Sequence, residues 1–213
     1  MLNLNGKTMQ LIAWSTAFAV STLAFVAWGS SNLWNFSHLS TYQIFPLLGL
    51  LAFSLMWTHY IIGTLKEILT SASSSLRSYY QWTGYAVLIL ICLHPGLLIY
   101  QLFRDGAGLP PGSYERYVAP GLGWVTLLGT VSLLIFLAFE LHRVYGDRKW
   151  WHYVEDLSDL AMLAIIYHSF RLGSQLQLGW YKYVWWFYAV TFIFILARKY
   201  YFRLGFGTQK ARP

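Results

Sequence analysis

The chain has 213 residues, 57% of them hydrophobic and only 11% charged. Soluble domains carry roughly a quarter charged residues, so this composition excludes an ordinary water-soluble domain. A single cysteine, Cys92, excludes an internal disulfide, a CxxCH haem attachment and a cysteine-ligated metal cluster within one chain. The net charge of +7 raises nucleic acid as a partner, but the basic residues follow membrane topology and no nucleic-acid binding is expected.

Six long apolar stretches follow one another, at about 9–30, 44–68, 82–103, 122–141, 154–170 and 183–200. Each reads as a membrane-spanning helix, since none alternates like a barrel strand. The expected fold is an all-α integral membrane protein, one domain over 1–213 built as a six-helix bundle. The first stretch is too long for the core of a signal peptide and is preceded only by Lys7, so it reads as a retained span. The fifth is the shortest and opens on Glu155, Asp156 and Asp159, which makes it the weakest by hydropathy.

Basic residues orient the bundle. With both termini cytoplasmic, Lys7, Lys66, Arg77, Arg143, Arg148, Lys149, Arg198, Lys199, Arg203, Lys210 and Arg212 lie inside, against Arg104, Arg116, Arg171 and Lys182 outside. That asymmetry obeys the positive-inside rule. Trp150 and Trp151 inside, and Trp180 and Tyr181 outside, fit an interfacial aromatic belt. The longest outer connection, 104–120, holds Pro110 and Pro111 and is expected to be irregular. The second and third spans share a loose plan with the fourth and fifth: a histidine near the inner end of the first helix of each pair, and a deeper one in the second.

Ionisable groups inside a bilayer are costly, which singles out His59, His94 and His168 from His38, His142 and His152 in loops and interfaces. His94 and His168 each sit about a dozen residues into helices of the same direction, which sets both imidazoles at similar height in the outer half of the membrane. Two imidazoles at matched depth on neighbouring helices are what six-coordinate haem iron requires. Plain packing histidines are the competing reading. Behind His168 lie Ala161 and Ala164 at helical spacing, and behind His94 lie Val87, Leu90 and Ile91 with Gly84 to one side. Such small residues leave room for a flat macrocycle, and they also serve ordinary helix packing. His59 lies near the inner end of its span at a depth like that of Asp159. It reads either as a hydrogen-bonded partner of Asp159 or as a ligand of a second haem.

The stretch Arg77-Ser-Tyr-Tyr-Gln-Trp-Thr-Gly84 followed by His94, and Tyr145-Gly-Asp-Arg-Lys-Trp-Trp151 continuing to His168, resemble the ferric reductase-like transmembrane domain family. That family includes small bacterial haem-binding membrane subunits and the membrane halves of NADPH oxidases and ferric reductases. The resemblance covers about half of the chain, and its motifs are short. It implies b-type haem, with His94 and His168 as axial ligands of the iron, and electron transfer across a membrane, for which the bacterial inner membrane is expected. The family's inner histidine on the fifth helix falls at Glu155, and its inner third-helix histidine at Tyr80 or Gln81, so one haem is expected. Arg171, one turn after His168, is the first candidate for a haem propionate, ahead of Arg104, Arg116 and Lys182.

No GxGxxG, Walker-type phosphate loop or HExxH zinc helix occurs. Without a flavin or nicotinamide domain, the electron donor must be separate: a quinol, a flavoprotein or a neighbouring subunit, within a larger membrane complex if the last. The alternative function is an accessory subunit of a larger membrane assembly with no redox role of its own. A transporter is disfavoured, because Pro46 and Pro95 are the only prolines breaking the spans.

Overall fold

The structure is a computed structural model, and it describes residues 5–69, 76–140, 147–177 and 179–204. His142, Arg143, Tyr145, Gly146, Lys210 and Arg212 lie outside the described residues. The described chain is helical, with no strand among its residues. In order it forms α1 (Gly6–Ser31), α2 (Thr41–Leu69), α3 (Arg77–Arg104), the short α4 (Tyr114–Tyr117), α5 (Gly123–Glu140), α6 (Trp151–Leu172) and α7 (Gly179–Arg203).

Five of these, α1, α2, α3, α5 and α7, are long and apolar enough to cross a membrane. The remaining long helix, α6, spans 22 residues but carries Glu155, Asp156, Asp159 and Arg171. Those charges set α6 apart from the other five, in keeping with the weak hydropathy of the fifth stretch. Aqueous caps mark some helix ends: the Asn5 side chain accepts a hydrogen bond from the Thr8 amide at 2.8 Å and opens α1.

Helices α2, α3, α5, α6 and α7 contact one another in sequence and α7 returns to α2, which closes a ring. Within it the pairs α2–α3 and α5–α6 pack most extensively, while α3 and α5 touch only briefly. The first helix lies outside the ring against α2 and α3. Its buried stripe, Met9, Ala13, Ala17, Val20, Ala24 and Ala27, repeats at helical spacing, and the alanines permit close approach.

Polar contacts show that neighbouring helices alternate in direction. Trp28 Nε1 donates to the Gln43 carbonyl, and Gln175 reaches Ser31, at one end of the bundle. Asp159 meets Lys199, and Asp156 meets Arg203, at the other. We call the first the loop end, because residues 105–122 cover it, and the second the terminal end.

An aromatic seam joins α2 to α7. Phe53 stacks on Trp185 with ring centroids 4.3 Å apart, Trp57 lies 4.6 Å from Tyr188, and Trp57 Nε1 donates to Thr191 Oγ1 at 2.9 Å. Burying these large rings gives the ring of helices its apolar core.

Candidate functional site

Inside the ring, towards the loop end, lies a half-enclosed cavity of about 170 Å³. Both His94 and His168 line it, one from α3 and the other from α6. The two rings are set by the same device. His94 Nδ1 lies 2.7 Å from the carbonyl oxygen of Phe45, and His168 Nδ1 lies 2.8 Å from that of Val125. A carbonyl only accepts, so both Nδ1 atoms carry the proton and both Nε2 atoms keep a lone pair. Neither Nε2 has a hydrogen-bond partner among the described residues.

Four residues beyond each accepting carbonyl stands a glycine, one helical turn on. A Cβ at Gly49 would fall 2.7 Å from His94 Cε1, and one at Gly129 would fall 2.9 Å from His168 Cε1. Each imidazole therefore lies flat on a bare patch of the preceding helix, and any side chain there would displace it. The pair α2–α3 and the pair α5–α6 thus carry one motif twice: carbonyl, glycine one turn later, histidine on the partner helix. It is a different correspondence from the loose plan read in the sequence, whose His142 lies outside the described residues, and it places His94 and His168 on the cavity wall.

The remaining wall is mostly apolar, with Leu50, Phe53, Met56, Ile91, Phe136 and Ile165 prominent, and Thr126, Thr130, Ser169 and Gln175 add polar groups. Pro46 and Pro95 also line it, and each leaves the carbonyl four residues before it without its helical donor. At the loop end the cavity is closed by Tyr114 and Tyr117, the latter stacked on Tyr42 with centroids 5.6 Å apart. Burial holds the Tyr117 phenol above its usual pKa.

The donor set suits a prosthetic group better than a bare ion. No group of three or more His, Cys, Asp and Glu among the described residues is placed to hold a metal ion. Two neutral imidazoles supply two axial bonds and require the equatorial ligands from a macrocycle. Each ring's N–H is anchored on a backbone carbonyl, the outer-shell arrangement that fixes tautomer and orientation in ligating histidines. By donor chemistry, two neutral imidazoles with free Nε2 atoms on one cavity are compatible with a haem.

A second cavity, about 290 Å³, lies towards the terminal end and shares Met56, Ile91 and Phe136 with the first. His59, Tyr60, Glu140, Glu155, Asp159 and Lys199 give it polar walls. The expected pairing of His59 with Asp159 does not occur. His59 Nε2 instead meets Thr83 Oγ1 at 2.7 Å, while Asp159 accepts from Lys199 and from the Tyr200 hydroxyl at 3.0 Å. A cation on α7 answers the carboxylate better than a neutral ring does. No second histidine among the described residues lines this cavity: His152 donates from Nδ1 to the Lys149 carbonyl instead.

The other sequence candidates scatter. Gly84 lines the second cavity, not the first. Ala161 and Ala164 do not line either, and the Ala161 carbonyl accepts from Ser132 at 3.4 Å. Arg171, Arg104 and Lys182 are exposed, and Arg116 donates to the Gly106 carbonyl at 3.1 Å. Cys92 is exposed on α3. Sequence reasoning missed Gly49 and Gly129. Their signal was a glycine in the helix before each histidine-bearing helix, readable only once those helices are paired. Neither a known family model, a curated protein nor a solved structure matches this chain.

Proposed function

We propose that the chain is a b-type haem-binding membrane protein that passes electrons singly between a separate donor and an acceptor. All six long helices would cross the bilayer, α6 with Asp156 and Asp159 answered from α7, and both termini would face the cytoplasm of a bacterial inner membrane. The observation that carries the reading is the matched pair of imidazoles on one cavity, each with Nδ1–H anchored and Nε2 free. An accessory subunit without redox chemistry gives no role to two ring nitrogens that line one cavity and have no hydrogen-bond partner among the described residues.

His94 and His168 would hold the iron, and a bound haem supplies one-electron chemistry there. Phe45 and Val125 fix the tautomer of each ring, and Gly49 and Gly129 leave the space that each ring occupies. The family resemblance of residues 77–94 and 145–168 points the same way. A donor of the quinol or flavoprotein class, or a neighbouring subunit, must deliver the electron.

Dithionite-reduced minus oxidised spectra of the purified protein test the reading. The expected result is one b-type haem per chain, with its low-spin bands lost in both His94→Ala and His168→Ala. Unchanged bands in either variant would reject the ligand pair.

A further inference from the structure

The cavity towards the terminal end has His59 as its one histidine among the described residues, and it concentrates titratable groups. Its geometry fixes the state of His59. Thr83 Oγ1 donates its own hydrogen to the Tyr79 carbonyl at 2.6 Å, so towards His59 it can only accept. His59 Nε2 therefore carries the ring proton, and Nδ1 is left with a lone pair and no partner among the described residues. The same logic runs on to Thr58, whose hydroxyl donates to the Leu55 carbonyl and accepts from the Tyr79 hydroxyl. This hydrogen-bonded chain holds one face of the ring and leaves the other nitrogen basic.

From this arrangement we infer that His59 is a proton-binding site coupled to the electron held between His94 and His168. The inference rests on the haem reading and adds a proton to it. One electron arrives from a reduced quinol or flavin, and in a fraction of the reduced molecules a proton from water at the terminal end bonds to His59 Nδ1. When the electron leaves for the acceptor, that N–H bond breaks and the proton returns to water. Charge in the interior is then partly balanced, which a low-dielectric site favours.

The groups around His59 suit a transient cation. Glu155 and Asp159 on α6, Glu140 on α5 and Lys199 on α7 line the same cavity, with Tyr60 beside His59 on α2. Lys199 is committed to Asp159, and Asp156 to Arg203, which leaves Glu155 as the carboxylate on α6 without a hydrogen-bond partner among the described residues. From α3 come the rings of Tyr79 and Tyr80, with centroids 5.8 and 5.4 Å from that of His59. Glu155 occupies the position where the resembled family would carry a histidine.

Ten residues separate His59 from Gly49, against which His94 lies, a rise of ~15 Å along α2. Unit charges at that separation, with an effective dielectric constant of ~20, change each other's equilibrium by about sixfold. At 59 mV per tenfold for one electron, the midpoint potential should fall by about 50 mV in total as pH rises through the window of His59.

Redox titration of the purified full chain from pH 3.5 to 8, read at its visible bands, tests this. The wild type should show the fall at the acid end of that range, and His59→Gln should flatten it. His59→Gln can still donate to Thr83, and an intact spectrum certifies that the bundle is assembled. A flat wild-type profile with intact haem bands overturns the proton site alone, as does the same slope in His59→Gln. Absence of haem bands overturns the reading on which it rests.

Discussion

Gly49 and Gly129 are the residues on which the two imidazoles depend, and they are the least conspicuous ones in the sequence. A β-carbon at either would stand inside 3 Å of a histidine ring carbon, which forces the ring off its carbonyl anchor. Gly49→Ala and Gly129→Ala should each lower haem occupancy several-fold and cost about 1–3 kcal/mol by overpacking, measured by haem content and thermal unfolding in detergent. Gly96→Ala is the control, since nothing lies within 4 Å of a Cβ there, and it should leave both unchanged. The histidines were legible because an ionisable ring within an apolar span needs a reason. The glycines were not, because small residues serve general packing in membranes, and their role depends on how two helices are rotated. Gly84, Ala161 and Ala164 drew attention by lying on the histidine-bearing helices themselves. The space beside each ring is instead cleared by the neighbouring helix.

At the scale of elements, α6 shows why hydropathy alone undersold a helix. Its acids Asp156 and Asp159 meet Arg203 and Lys199 of α7, and Tyr200 bonds both carboxylates at 3.0 Å. A one-dimensional window counts these charges but cannot see that the next helix answers them. The Asp159–Lys199 pair is the more buried, with side-chain exposures of 6% and 35%, against 33% and 40% for Asp156 and Arg203. Removing one member of the inner pair leaves a charge stranded. Asp159→Asn or Lys199→Met should therefore cost on the order of 2 kcal/mol, intermediate between exposed and buried pairs. The double variant should recover part of that loss in thermal unfolding. A full loss in the double variant would show that the two residues act separately. Asp156→Asn should cost less than 1 kcal/mol, as expected of a solvent-exposed pair.

Taken whole, the molecule is a ring of five helices with one more outside it and two linked cavities along its axis. The helices and most of their limits follow from apolar length, and the alternation of direction from short connections. What composition could not give is the ring order, because membrane helices associate through shape and local polar contacts rather than through a distinctive hydrophobic stripe. That order decides the function proposed here, since it sets residues of α3 and α6 on the walls of one cavity although α4 and α5 separate them along the chain. The central claim is that a single iron porphyrin bridges those walls through two imidazoles. Low-temperature electron paramagnetic resonance of the oxidised protein tests it most directly. The account predicts a low-spin ferric signal of the bis-imidazole type, absent from both His94→Ala and His168→Ala. A ferric signal that is wholly high-spin, or one that survives either substitution, would contradict it.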